Sequence, residues 1–175
     1  AEIISRQDIP AGLFNLVMGS GGEIGQSLVE SPAIQAISFT GSVEVGKQIA
    51  TTAINNLTKI QLEMGSKNAL AIMPDGDLDI AVASALGGAF GGTGQKCTAS
   101  SRLVVHTKIH DEFTERLIAG ASAMVVDNAL KDGTEIGPVV SQTQLNENRR
   151  WVDRAIAEGG EILCGGTQVA RDTEG

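Results

Sequence analysis

Ile34-Gln-Ala-Ile-Ser-Phe39-Thr40-Gly41-Ser42-Val-Glu-Val-Gly46 passes from an apolar stretch through small residues into a stretch of different period. Ile34 to Phe39 reads as a buried strand that ends at Thr40-Gly41-Ser42. From Val43 to about Asn55 the apolar positions recur at helical spacing, with Ser42 as the N-cap. Lys59 to Met64 then alternates like a second strand, which predicts a β–α–β succession. At the start of the helix, orphan N–H groups and the backbone dipole attract an anion, most usefully a pyrophosphate. Gly41 permits close approach there and the Ser42 hydroxyl can add a hydrogen bond. A capped surface helix that binds nothing is the competing reading, and this stretch alone leaves both open.

Upstream, Gly19-Ser20-Gly21-Gly22 reads as a similar turn, and Ile24 stands where a complete G-x-G-x-x-G pattern would have its last glycine. Downstream, Ala69 to Met73 is a short apolar run, broken by Pro74-Asp75-Gly76-Asp77. Leu78 to Phe90 predicts an alanine-rich helix, and Arg102 to His106 a strand. Ile109, Phe113, Leu117, Ala121 and Met124 share one face of an amphipathic helix. Another helix, from about Gln142 to Glu158, stops at Gly159-Gly160, and Glu161 to Cys164 predicts a closing strand. Strands alternating with helices predict a mostly parallel α/β arrangement. The best position for a domain junction is the stretch around Gly65.

The chain has 175 residues, of which 42% are hydrophobic, enough for a core without staples. No apolar run approaches the roughly 18 residues of a membrane span. A net charge of −8 and the lack of a long basic run argue against a nucleic-acid surface. Two cysteines are too few for a disulfide framework, which predicts a reducing compartment and a cytoplasmic protein. The chain begins at Ala1 without an initiator methionine or signal peptide and ends in Asp172-Thr173-Glu174-Gly175, read as a loop. The expectation is a segment of a longer chain.

Gly91-Gly92-Thr93-Gly94-Gln95-Lys96-Cys97-Thr98 surrounds one of the cysteines with glycine and small polar residues. A cation such as Lys96 beside a thiol favours the thiolate, the form that attacks a carbonyl carbon. An inert structural thiol is the plainer reading of a lone cysteine, and Cys164, at the end of its apolar stretch, fits that reading. Glu63 follows Ile60-Gln61-Leu62 at a strand end, as either a surface charge or a partly buried group suited to general-base work.

Together these residues resemble the aldehyde dehydrogenase superfamily along nearly the whole chain. Phe39-Thr40-Gly41-Ser42 with Gly46 is similar to that family's nucleotide-loop motif. Leu62-Glu63-Met64-Gly65-Ser66-Lys67 is similar to its glutamate motif, and Gly94-Gln95-Lys96-Cys97 to its cysteine motif. Cys97 follows Glu63 by 34 residues, the family's separation. Asp75-Gly76-Asp77-Leu78-Asp79 and Ile136-Gly137-Pro138-Val139 also correspond to family segments.

The resemblance implies an incomplete parallel-sheet aldehyde dehydrogenase fold. Residues 1–64 would end a Rossmann-like coenzyme-binding domain, and residues 65–175 would begin the catalytic domain. It implies an NAD or NADP cofactor, with its pyrophosphate near Gly41 and Ser42, its adenine near Gly21 and its nicotinamide near the backbone of Met64 and Gly65. Cys97 would be the nucleophile and Glu63 the base, facing one cavity, with a small-molecule aldehyde as substrate. The full-length protein would be a homodimer or homotetramer, with no nucleic-acid or membrane partner. Lys96 would either line the substrate tunnel, favouring a carboxylate-bearing semialdehyde, or point to solvent and polarise the thiol.

Ser66 departs from the family, which commonly has a second glycine there. The family's oxyanion-hole asparagine, its ribose-binding lysine and glutamate and its oligomerisation arm fall outside this stretch, so the isolated segment is expected to be inactive. One alternative is an acylating dehydrogenase of the same superfamily, which Glu63 argues against because those enzymes usually lack that base. Another is a non-catalytic fragment that keeps the fold. Metal binding by His106 and His110 is the weakest alternative, since His106 ends a strand and no carboxylate or cysteine completes a ligand set.

Overall fold

The computed structural model describes residues 2–171, in which helices combine with parallel strands. The chain divides between Gly65 and Ser66 into two compact units. Asp172-Thr173-Glu174-Gly175, expected as a loop, lies outside the described residues.

The first unit opens with a single helical turn, α1 (Glu2–Ser5). A wide turn of π-helix over Gly21–Gly25 then runs into α2 (Gln26–Glu30). The sequence predicted only a turn around Gly19 to Gly22. The helix forms because the N–H groups of Glu23 and Ile24 both reach the Ser20 carbonyl, at 3.2 and 3.0 Å. Val29, buried on α2, anchors the far end.

Next come β1 (Ala36–Gly41), α3 (Val43–Asn56) and β2 (Lys59–Met64). β1 and β2 pair in parallel, from Ala36 opposite Lys59 to Gly41 opposite Met64. This is the predicted β–α–β succession, except that Ile34 and Gln35 precede the strand. Their carbonyls are still occupied, by the Thr58 hydroxyl at 3.2 Å and the Lys59 N–H at 3.0 Å. Ser42 caps α3 by accepting the Val45 N–H at 3.2 Å. The helix ends where Leu57 turns left-handed at φ 53°. Gly46, Ile49 and Ala53 are its buried positions, three and four apart on one face.

The second unit holds β3 (Asn68–Ile72), α4 (Leu78–Phe90), β4 (Ser100–Val105), α5 (His110–Ala123) and α6 (Gln142–Ala157). β3 and β4 are parallel. Asn68 stands opposite Ser100 and Ala69 opposite Arg102, so Ser101 is an extra residue, a bulge. The core gathers Ile72, Ala85 and Phe113, packed by Leu70, Leu103 and Leu117 among others. Asp77 caps α4 with one carboxylate oxygen, 2.9 Å from the Asp79 nitrogen and 3.0 Å from that of Ile80.

Glu161 to Cys164 is not the closing strand that the sequence predicts. An apolar run becomes a strand only where a neighbour completes its backbone ladder, and no described strand pairs with this one. Ile162, Leu163 and Cys164 instead line a shallow groove with Leu117, Ile118 and Val152 of α5 and α6. Cys164 is exposed, not the packed thiol expected. Among the described residues no helix is long and apolar enough to cross a membrane.

Candidate active site

In the first unit, the turn from β1 into α3 is shaped by side chains pressing on glycine. An added Cβ at Gly41 would lie 2.4 Å from the Phe39 ring, and one at Gly46 would lie 2.5 Å from the Met64 sulfur. Phe39 and Met64 thus fold against the turn and the first turn of α3, into the space a larger side chain would take. Glu63 is exposed and stands opposite Thr40, with its carboxylate accepting from the Gln61 amide at 3.3 Å. Gly41 lies opposite Met64, so these expected cofactor contacts are adjacent across the sheet. Gly65 follows directly, exposed, and among the described residues beyond its chain neighbours nothing lies within 4 Å of an added Cβ.

Beside this turn lies a groove of about 640 Å³, bounded by the Gly21–Gly25 turn, β1 and α3. Gly21, Gly22 and Gly25 form one side, and Val45, Gln48 and Ile49 lie on the α3 side. These three glycines have ordinary negative φ, and among the described residues outside their own helical turn nothing lies within 4 Å of a Cβ added to any of them. Neither backbone strain nor internal packing accounts for glycine there. The volume falls within the roughly 300–1,000 Å³ usual for small-molecule sites.

In the second unit, the loop between α4 and β4 carries Cys97. Gly92, Thr93 and Gly94 are all left-handed, at φ 62°, 60° and 68°. A Cβ at Gly94 would also lie 2.7 Å from the Ala89 carbonyl oxygen. The loop therefore needs glycine for backbone conformation, with Thr93 held at a φ that costs a non-glycine residue about 1–3 kcal/mol. Lys96 is exposed, and its side chain lies over the loop, its Cε 3.0 Å from where a Gly92 Cβ would sit. The N–H of Ala99 bonds the Lys96 carbonyl at 3.0 Å, which makes Lys96 to Ala99 a tight turn. Cys97 is a free, exposed thiol on that turn, three residues before β4 begins.

Glu63 belongs to the first unit and Cys97 to the second. His106 accepts the Lys108 N–H at 3.1 Å, and His110 pairs with Asp111 at 2.9 Å. Among the described residues no three histidine, cysteine or carboxylate side chains cluster as a metal site.

The sequence model of the aldehyde dehydrogenase family matches residues 1–175. The chain belongs to the aldehyde dehydrogenase family. An alpha-ketoglutaric semialdehyde dehydrogenase of Bacillus subtilis is 39% identical to it over 92% of this chain and 33% of the relative. An NADP-linked succinate-semialdehyde dehydrogenase of Escherichia coli is 34% identical over 95% of the chain and 34% of the relative. Among solved structures, betaine aldehyde dehydrogenase of Staphylococcus aureus in complex with NAD+ superimposes with a TM-score of 0.95 at 38% identity, covering 98% of this chain and 34% of that one. The chain thus spans about a third of the length of the relatives it matches.

Two polar residues that belong to none of the sequence motifs bond the backbone of the cysteine turn and of the segment entering β3. The Asn68 amide nitrogen donates to the carbonyls of Cys97 and Ala99, at 2.7 and 3.3 Å. The Arg102 guanidinium reaches the Lys67 carbonyl through two nitrogens, at 3.1 and 2.7 Å. Asn68 follows the glutamate motif directly, but its partners are 29 and 31 residues away in sequence and are fixed only by the β3–β4 register.

Proposed function

We propose that this chain is the central segment of a cytoplasmic NAD(P)-dependent aldehyde dehydrogenase that oxidises an aldehyde to a carboxylic acid through a cysteine thioester. In this reading residues 1–64 complete the coenzyme-binding domain and residues 65–175 begin the catalytic domain, within a homodimer or homotetramer. The observation that carries it is Cys97, an exposed free thiol on the tight turn that leads into β4, in a chain matched throughout by the family.

The groove beside α3 fits the adenosine half of a dinucleotide. Its glycine wall at Gly21 serves no internal purpose, and its other wall is apolar with amide and hydroxyl groups between. The start of α3 would hold the pyrophosphate. Ser42 uses an oxygen lone pair to cap the helix, which leaves its hydroxyl proton free to be donated to phosphate. The backbone at Met64 and Gly65 would lie toward the nicotinamide. Bound NAD(P) supplies hydride acceptance.

Cys97 attacks as thiolate: a C–S bond forms at the carbonyl carbon and the carbonyl π pair moves to oxygen. The Cys97 N–H contributes to holding that oxyanion. Loss of hydride from the same carbon leaves a thioester on Cys97. Glu63 then takes a proton from water as the water attacks, and the thiolate leaves with the C–S electron pair, releasing the acid.

In the full-length enzyme, Cys97→Ala is expected to abolish hydride transfer, losing at least about 10³-fold in kcat. Glu63→Gln is expected to release about one equivalent of NAD(P)H per site and then turn over slowly, because the thioester forms but is not hydrolysed. Stopped-flow absorbance at the reduced-cofactor band separates the two. Full activity without the thiol would sink the proposal.

For the substrate, the exposed ammonium of Lys96 beside Cys97 favours an aldehyde that carries a carboxylate, and two relatives are semialdehyde dehydrogenases by name. Lys96→Ala should raise KM for acidic aldehydes about ten-fold more than for neutral ones, the scale of one lost charged contact. Equal changes for both would remove this reading.

A further inference from the structure

We propose that Asn68 is a positioning residue for Cys97, acting through the backbone of the turn and not on the sulfur. The inference rests on the reading of Cys97 as nucleophile. The Asn68 amide nitrogen carries two hydrogens, and two carbonyls converge on it: Cys97 at 2.7 Å and Ala99 at 3.3 Å. These carbonyls lie on either side of Thr98, so one side chain spans the junction where the turn becomes β4. The Cys97 carbonyl belongs to the peptide that sets ψ of Cys97, and ψ helps decide where Cβ and sulfur point. From the other side, the Ala99 N–H closes the turn on the Lys96 carbonyl at 3.0 Å. The residue that carries the thiol is thereby clamped between two hydrogen bonds.

The reach of Asn68 depends on the bulge. With Ala69 opposite Arg102, an uninterrupted ladder would set Asn68 opposite Ser101. The extra residue sets it opposite Ser100 instead, one position nearer Cys97. Arg102 holds the adjacent peptide in place by grasping the Lys67 carbonyl, so Asn68 itself is anchored on a fixed backbone. A bulge beside a proposed active site, with a side chain re-aimed by it, gives Asn68 more than a role in starting a strand.

The test compares Asn68→Ala, Asn68→Ser and Asn68→Asp in the full-length enzyme. Serine keeps a donor, alanine removes it, and aspartate keeps the shape but turns acceptors toward the two carbonyls. Misplacing a reacting group by a fraction of an ångström to 1 Å costs on the order of 10–100-fold, so kcat for Asn68→Ala should fall by about that factor. KM for NAD(P) should stay within about two-fold, since the residues proposed to hold the coenzyme all belong to the first unit and the turn to the second. Asn68→Ser should recover part of the lost kcat, and Asn68→Asp should recover none.

A purely structural role would lower the thermal midpoint while leaving kcat per folded molecule at the wild-type value, and that result overturns the proposal. Should Asn68→Ala fail to fold, the serine and aspartate variants decide: equal kcat for the two overturns it, and serine above aspartate supports it. Cys97→Ala is run alongside. If it retains activity, the nucleophile reading has failed. If it is inactive while every Asn68 variant matches wild type in kcat, only the positioning role has failed.

Discussion

Two glycine-bearing turns, one in each unit, use glycine for opposite reasons. Between β1 and α3, Gly41 and Gly46 have ordinary backbone conformations, and glycine is required because the Phe39 ring and the Met64 thioether lie where a Cβ would be. Between α4 and β4, Gly92 and Gly94 are left-handed, and the backbone itself requires them. The first turn is a fitted surface at the start of a helix. The second is a coiled connection that lifts Cys97 onto a tight turn. A steric demand can be met by shifting a flexible neighbour, whereas a conformational one cannot be met by any L-residue without strain. The proposed phosphate site is therefore the more tolerant of the two, and the proposed nucleophile loop the less.

The contrast makes an ordered forecast. Gly94→Ala combines a left-handed φ of 68° with a Cβ 2.7 Å from a backbone oxygen that cannot rotate away. The full-length enzyme should lose about 3–4 kcal/mol, seen as a large drop in denaturant midpoint, with activity falling alongside. Gly46→Ala places a Cβ 2.5 Å from the Met64 sulfur, but methionine has three rotatable bonds and can yield. The overpacking cost of about 1–3 kcal/mol is offset by about 1 kcal/mol of helix propensity, so a net loss of about 1 kcal/mol is expected. Equal losses at the two sites would erase the distinction between them.

The sequence made the first turn easy to read and the second only half so. Ser42 before a 3.6-period stretch marks both the end of β1 and the start of α3, and the structure follows it to within two residues at each boundary. For the second turn, the motif pointed to Cys97, but nothing in Gly91 to Cys97 says which residues adopt positive φ or which distant side chain reaches the turn. The contacts of the Asn68 amide depend on a register between strands about thirty residues apart, and no motif marks Thr93 for its φ of 60°. The same limit explains the misreading of Glu161 to Cys164. Its apolar pattern records the residue preferences of a strand but carries no information on whether a partner strand is present beside it. Gly21 to Gly25 failed in the other direction: three glycines in five residues discourage a helix locally, and bonds to the Ser20 carbonyl with burial of Val29 outweigh that preference.

The smallest change in stability belongs to Ser42, and it probes what the first turn is for. Ser42→Ala removes the acceptor for the Val45 N–H and should cost about 0.5–1 kcal/mol, typical of losing an N-cap at an exposed helix end. Aspartate caps as well as serine does, and its charge suits the positive end of the helix dipole, so Ser42→Asp should leave the denaturant midpoint at or above wild type. A carboxylate at that position would nevertheless face any phosphate drawn to the same N–H groups. If the start of α3 holds a pyrophosphate, Ser42→Asp raises KM for NAD(P) by at least about ten-fold while stability holds, and Ser42→Ala raises it by only a few-fold. If both variants bind coenzyme like wild type, the turn is no more than a capped helix packed on its own glycines, and the phosphate belongs elsewhere.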